Sequence, residues 1–331
     1  MSGPTRPALR YMGGKWRLAP KIIEHFAPHR TYVEPFGGAA SVLLRKGRAF
    51  QEIYNDLDGE IVNLFRVLRD AATAAELARQ VALTPWAREE FELSYHLPAE
   101  SPVEMARRTM ARSFMGFGST AVALRRRTGF RAGSGRNGKH PARDWMGMPA
   151  AIGALAERLA GVVIEHRPAL QVMAASDDPA TLIYADPPYV HATRSPKRIF
   201  GELEHAYAHE MTDADHQALL AWLDGCLSMV VLSGYRSPLY DAALQGWRRI
   251  DLAALADGAR PRIECLWLNR AACAGLGDLF QREAALRWAL GEGVDVPSER
   301  LDAAVADFAA RVRPQPEWWR NRLRELAGLD P

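Results

Sequence analysis

Cysteine is scarce in this chain. Its 331 residues include three, Cys226, Cys265 and Cys273. The number is odd and no Cys-x-x-Cys pair occurs, so neither a disulfide framework nor a thiolate zinc site is expected, and reduced thiols in the cytoplasm are. Long apolar runs are missing too. The purest, such as Met229–Leu232, fall far short of the roughly 20 residues that span a bilayer. Met1–Arg10 has no apolar centre of signal-peptide length. A cytoplasmic protein without a membrane partner is the expectation. The nine histidines include no His-Glu-x-x-His spacing, and no metal site is expected. One absence is regional. From Met105 to Arg143 there is no Asp or Glu, while Arg107, Arg108, Arg112, Arg125, Arg126, Arg127, Arg131, Arg136, Lys139 and Arg143 all fall there. That stretch is +10 against a chain total of +3, so the other residues sum to −7, the +3 less the +10. Near-neutrality overall therefore does not exclude a polyanionic partner.

What is present is ordinary for a globular protein: 48% hydrophobic and 24% charged residues. This excludes a wholly disordered chain, a collagen-like repeat and a coiled-coil rod. Short apolar or β-branched runs, each followed by a turn signal, predict strands at Tyr32–Glu34, Ile53–Asn55, Val162–Glu165, Leu182–Ala185, Met229–Ser233, Arg249–Leu252 and Ile263–Leu268. Helical periodicity fills most gaps, at Arg17–Phe26, Ser41–Gly47, Gly59–Arg69, Pro102–Met115, Pro149–Leu159 and Asp213–Leu223. The alternation predicts an α/β fold with a mainly parallel sheet covered on both faces. The interval between the second and third strands breaks it. Helices at Ala71–Val81, Trp86–Tyr95 and Pro102–Met115 lead into a Gly/Arg/Ser-rich stretch, Gly116–Trp145. The organisation expected is a core of residues 1–70 and 146–270, an inserted domain over 71–145 ending in a basic loop, and a helical extension over 271–331. Helices in that extension are expected at Gln281–Leu290, Ser298–Val312 and Glu317–Leu326.

Two motifs carry chemistry. Tyr32-Val33-Glu34-Pro35-Phe36-Gly37-Gly38-Ala39-Ala40 places a glycine turn at a strand's carboxyl end, where ligands bind in open α/β sheets because backbone can approach closely. Asp56, at the end of the next strand, suits a ribose hydroxyl or, alternatively, a helix cap. The glycine spacing departs from the dinucleotide pattern, which disfavours a pyrophosphate ligand and a nicotinamide-dependent oxidoreductase. The second motif is Asp186-Pro187-Pro188-Tyr189, after the strand Thr181–Ala185. Prolines donate no backbone hydrogen bond. A carboxylate, bare carbonyls and an aromatic ring then face the crevice. That acceptor-rich pocket suits an exocyclic amine on a ring that can stack.

On these motifs the chain resembles the Dam-like, alpha-class adenine-N6 DNA methyltransferases of bacteria and phages. Tyr11-Met12-Gly13-Gly14-Lys15 is similar to that family's N-terminal cofactor motif. Glu34-Pro35-Phe36-Gly37-Gly38-Ala39-Ala40 is similar to its S-adenosylmethionine loop, with Ala40 where the family has glycine. Asp56 corresponds to the ribose-binding acid and Asp186-Pro187-Pro188-Tyr189 to the catalytic motif. Ile263–Asn269 looks like the closing strand. The resemblance implies a Rossmann-like methyltransferase sheet with an inserted, mainly helical DNA-recognition domain. It implies S-adenosylmethionine as cofactor and double-stranded DNA as partner, with direct methyl transfer to a flipped-out adenine. Lys15 would hold the cofactor's methionine part or a nearby acid, and Phe36 would pack on the cofactor. Amino methylation of cytosine or RNA, or a silent DNA-binding regulator on the same fold, are the alternatives; Asp186 before Pro-Pro favours adenine in DNA.

The basic insert is the expected DNA reader. Arg112, Arg125, Arg126, Arg127, Arg136 and Lys139 are candidates for phosphates, and Ser119, Arg131 and Asn137 for base edges. Phe114, Phe117 and Phe130 could each wedge into the opened stack or pack a small core. The stretch 190–210 is read as a mobile flap over the crevice.

Overall fold

The computed structural model describes residues 3–96, 99–123, 127–133, 140–193, 198–199, 202–203, 208–255 and 261–276. The helices expected in the extension lie outside the described residues, as do Arg125, Arg126, Arg136, Asn137 and Lys139. Residues Met1–Ala272 form one compact unit.

Seven strands build its sheet: β1 (Thr31–Glu34), β2 (Gln51–Asn55), β3 (Val163–Glu165), β4 (Thr181–Ala185), β7 (Met229–Gly234), β8 (Arg248–Leu255) and β9 (Pro261–Leu268). Two short strands, β5 (Arg198–Ile199) and β6 (Glu202–Leu203), pair antiparallel by themselves. The sheet order is β3-β2-β1-β4-β7-β9-β8. Strands β3, β2, β1, β4 and β7 are mutually parallel. β9 runs against both β7 and β8. The sheet expected to be mainly parallel therefore closes with an antiparallel hairpin.

Each predicted strand is present. The central β4 and β7 are buried at every position, which is why they read as unbroken apolar runs rather than alternating ones. Side chains still alternate between two faces. Val33, Ile53, Ile183 and Val230 share one core with Val172, Met173, Leu219, Leu220 and Leu223, which lie on the helices Ala169–Ala175 and Asp213–Gly225. On the other face Tyr32 and Tyr184 meet Phe26, and Tyr54 meets Phe65 of the helix Gly59–Arg69. Thr212 and Asp215 cap the helix Asp213–Gly225 reciprocally, which fixes where that helix starts. Ser41–Gly47, expected as a helix, forms turns instead. The helices Thr120–Ala123, Pro141–Met146, Ala169–Ala175 and Pro238–Ala243 were not foreseen; each is at most seven residues long, too short for periodicity to show.

The helices between β2 and β3 pack through aromatics. Trp86, Phe91, Phe114, Phe130 and Trp145 form a chain of ring contacts with centroids 5.9–6.2 Å apart. The indole N–H of Trp145 donates to the Thr84 carbonyl, and that of Trp86 to the Arg131 carbonyl. Main-chain bonds run from Phe117 to the Gly129 carbonyl and from Arg131 to the Met115 carbonyl.

Candidate active site

Order along the sheet reverses between β1 and β4, and ligands of open α/β sheets bind at such a switch point, outside the carboxyl ends of the strands. Both motifs lie there. The glycine turn leaves β1 under tight steric control. A Cβ at Gly37 would sit 2.1 Å from the Tyr54 ring, and one at Gly38, whose φ is +47°, would meet the Tyr11 ring at 3.0 Å. Ala40 also adopts a positive φ, +51°. The residue where the resembling family has glycine thus keeps a glycine-like conformation.

Asp56 fastens this turn from the neighbouring strand. Its carboxylate accepts from the backbone N–H of Gly38 at 2.7 Å and of Asp58 at 2.8 Å. Burial holds its pKa above the usual carboxylate value. The Tyr54 hydroxyl donates to the Gly38 carbonyl at 2.7 Å. Asn55 is a strut rather than a ligand: it is buried and bonds Pro35 and Arg167. Glu34 points inward, accepting from the Tyr32 hydroxyl at 2.8 Å and the Leu43 N–H at 2.9 Å. Burial pushes its carboxyl up to about 8, so it is predominantly protonated at neutral pH.

Two clefts flank the turn and share Tyr11, Phe36, Gly38 and Asp186. One, of about 410 Å³, is lined by Gly13, Gly14, Lys15, Glu34 and Ser41 among others. The second, of about 660 Å³, is lined by Pro35, Asp56, Leu57, Pro188 and Met211 among others. The first is rich in charged and backbone groups and suits an amino-acid moiety. The second joins apolar walls to the acids Asp56, Asp58, Asp186 and Glu210 and suits a nucleoside. The stretch His209–Met211 belongs to the wall of the second cleft.

At the junction stands Asp186. Lys15 Nζ reaches its two oxygens at 2.9 and 2.8 Å. The same ammonium donates to the Gly13 carbonyl at 3.1 Å and to the Tyr189 hydroxyl at 2.5 Å, and lies 3.3 Å from Glu264 Oε1. Tyr189 in turn donates to Glu264 Oε1 at 2.5 Å, and Ser233 donates to the same oxygen at 3.0 Å. Burial opposes the charge on Lys15, but Asp186 and Glu264 outweigh it and hold its pKa well above the usual value. Burial raises the Asp186 pKa and Glu264 adds to the rise, against the pull of Lys15. Glu264 and Ser233 escaped the sequence reading. Their signal was there: each is the lone acid or hydroxyl in an otherwise apolar strand core, Ile263–Leu268 and Met229–Ser233.

The expected DNA contacts divide. Arg112 is 8% exposed and is spent on Glu60 and the Ser94 carbonyl. These partners engage the guanidinium within the chain. Arg131 donates to the Phe114 carbonyl at 3.0 Å, and Phe130 packs on Trp86 and Phe91. Phe114 is buried, as a core residue would be and a wedge would not. Arg107 and Arg108 pair with Glu104, one residue outside the acid-free stretch. Arg127 is exposed beside Glu92, Ser119 is half-buried, and Phe117 is 72% exposed.

Among the described residues no helix is long and apolar enough to cross a membrane. The comparison with curated proteins gives no match. Residues 11–223, more than half of the chain, match the D12 class N6 adenine-specific DNA methyltransferases, and that span runs from the first cleft through the Asp-Pro-Pro-Tyr corner. The chain belongs to this family of enzymes, which methylate adenine N6 at specific sites in DNA.

Proposed function

We propose that the two clefts bind S-adenosylmethionine and that Asp186, Pro187, Pro188 and Tyr189 receive an adenine turned out of double-stranded DNA. The observation that carries this reading is the position of Asp186 in both clefts at once. A group there can face a cofactor on one side and a base on the other. The lining residues fit the cofactor's chemistry. Gly14, Lys15 and Glu34 would hold its methionine part, with Tyr11, Pro35, Phe36, Gly37, Gly38 and Ala40 shaping the passage and Asp56 meeting the ribose. When bound, S-adenosylmethionine supplies an electrophilic methyl on a sulfonium.

The chain's own residues do the positioning. Asp186 and the Pro187 carbonyl would accept the two N6 hydrogens, turning the nitrogen lone pair out of conjugation with the ring. Pro187 and Pro188 offer no competing donors. The Tyr189 ring would stack on the base, and its hydroxyl is already fixed by Lys15 and Glu264. The proton displaced after transfer has an acceptor in Asp186, whose raised pKa suits the task. Alignment and lone-pair localisation account for most of the rate on this reading.

Residues 71–145 are proposed as the target-recognition region, with Arg125, Arg126, Arg127, Arg136 and Lys139 on phosphates and Ser119 and Asn137 nearer the bases. Arg131 donates to the Phe114 carbonyl. Asp186→Ala tests the catalytic assignment: methyl transfer should vanish while DNA still binds, and wild-type-like turnover would remove it. Calorimetry with S-adenosylmethionine should show weaker binding after Asp56→Ala; unaltered affinity removes the ribose role. Neutralising Arg125, Arg126 and Arg127 together should shallow the salt dependence of DNA affinity by about 0.9 log units per log unit of salt for each phosphate no longer neutralised. An unchanged slope would turn those residues to solvent.

A further inference from the structure

Asp186 presents a difficulty for its own role. Each of its oxygens already accepts from Lys15, and the proposed chemistry asks one of them to accept an amine hydrogen as well, in competition with that ammonium. An ammonium this deeply buried needs a negative partner at all times, because an unpaired buried charge is very costly. Lys15 is 5% exposed. One other carboxylate reaches it among the described residues: Glu264, at 3.3 Å. Glu264 is itself 3% exposed. It lies on β9, the reversed strand, opposite Leu252 of β8. It also holds the Tyr189 hydroxyl at 2.5 Å, so one carboxylate touches both the cation that occupies Asp186 and the ring proposed to stack the base.

We propose that Glu264 is a positioning residue for methyl transfer. It takes over the charge of Lys15 when Asp186 turns to the adenine amine, and it fixes the Tyr189 ring through the phenolic hydroxyl. Lys15 need not leave its place for this; a shift of a few tenths of an ångström exchanges the nearer carboxylate. The Tyr189 hydroxyl bridges the two, accepting from Lys15 and donating to Glu264. Ser233 donates to the same Glu264 oxygen and keeps that side chain aimed inward. The other ionisable groups facing Asp186 are Glu34 from β1, Tyr184 from β4 and Tyr240 from the helix Pro238–Ala243. The carboxylates that pair with Lys15 among the described residues remain Asp186 and Glu264.

This inference rests on the assignment of Asp186, and the experiment separates the two. Methylation of a DNA duplex is followed by steady-state kinetics with S-adenosylmethionine, for the wild type, Glu264→Gln, Tyr189→Phe, the double variant and Asp186→Ala. Glutamine keeps the shape and the acceptor oxygen but not the charge. Glu264→Gln should lower kcat about 10²-fold, the scale of a slight misplacement of reacting groups, with both KM values within about threefold of wild type. Glu264→Asp should recover part of the loss. Removing the like charge should move the acid limb of the kcat profile to lower pH, since Glu264 helps to raise the Asp186 pKa. The double variant should be no slower than the slower single one, because both break one unit. A kcat within threefold of wild type, an unmoved acid limb or multiplying losses would each overturn the inference. Should the glutamine variant not fold, Tyr189→Phe alone decides, and undiminished kcat overturns it. If Asp186→Ala still methylates, the fault lies with the catalytic assignment rather than with Glu264.

Discussion

The sheet buries two clusters of charge, one at each end of its strands, and they are built on opposite plans. At the amino end Glu52, the second residue of β2, accepts from Lys46 at 2.7 Å and from both terminal nitrogens of Arg158 at 2.7 and 2.9 Å. Surplus hydrogens go to main-chain carbonyls, from Arg158 to Leu43 and from Lys46 to Gly47. Two cations enclose one anion, and its oxygens are saturated. At the carboxyl end one cation, Lys15, is enclosed by two anions, Asp186 and Glu264. This cluster, whose acceptor oxygens are filled, ties the helix Met148–Leu159 to the sheet. A cluster with acceptors in excess is arranged for a visitor that brings hydrogens and positive charge. Burial of charge alone, then, does not mark an active site; the direction of the imbalance and the presence of a cleft do.

Mutating each cluster should separate function from stability. The largest effect is expected at the carboxyl end, where Asp186→Ala should lower kcat by about 10³-fold or more. Its melting temperature should be no lower than wild type, and a collapse in stability would erase the distinction between the clusters. At the amino end Glu52→Gln should cost about 3–5 kcal/mol of folding free energy, as expected when a buried pair loses one partner. The folded fraction should keep its kcat; urea titration and active-site-normalised rates check both halves.

Next in size are the opposite pH responses of two glutamates. Burial would raise Glu52, but the hydrogen bonds of Arg158 and Lys46 hold it below the usual carboxylate value. The stability it supports is present above that usual value and lost as pH falls through its lower folded one. Burial pushes Glu34 from 4.5 up to about 8. Its folded form holds the proton more tightly, so stability should decline as pH rises from about 4.5 to about 8. Glu34→Gln should flatten that decline in denaturant melts, leaving the acid side unaltered. A slope that persists would assign it to another buried acid, Asp56 or Asp186. The smallest effect concerns the glycine turn after β1, which lines the same cleft as Lys15 and Asp186. Ala40→Gly should change stability by less than about 1 kcal/mol, because relief of a positive φ offsets the lost methyl and the freer unfolded chain. A larger loss would show that the φ at Ala40 costs little.

The strands were legible because buried strands write themselves as short apolar runs, and β4 is the plainest case, Thr181–Ala185 running straight into two prolines. The helices Gly59–Arg69 and Pro102–Met115 were legible from end to end, since each starts at a capping residue, Asp58 and Ser101, and shows several turns of periodicity. The direction of β9 was not. Strand direction is decided by pairing partners far along the chain, and nothing in Ile263–Leu268 records it. Nor was the fate of the arginines. Net charge is additive along a sequence, but Arg107, Arg108 and Arg112 are answered by Glu90, Glu104 and Glu60, two of which lie well away in the chain. The Asp-Pro-Pro-Tyr corner was readable as an acceptor-rich pocket. Lys15 was readable as a partner for the cofactor or for a nearby acid, but not that the acid is Asp186, because 171 residues separate the pair.

The reversal of β9 also sets an order in time. Its opening residues, rather than its closing ones, arrive at the end of the sheet where the glycine turn and Asp186 lie. On a ribosome, Lys15, Glu34 and Asp186 emerge well before the hairpin that delivers Glu264. A nascent chain can therefore assemble both clefts while the second carboxylate for Lys15 is still unmade. The second partner of Lys15 arrives only once β9 has threaded between β7 and β8.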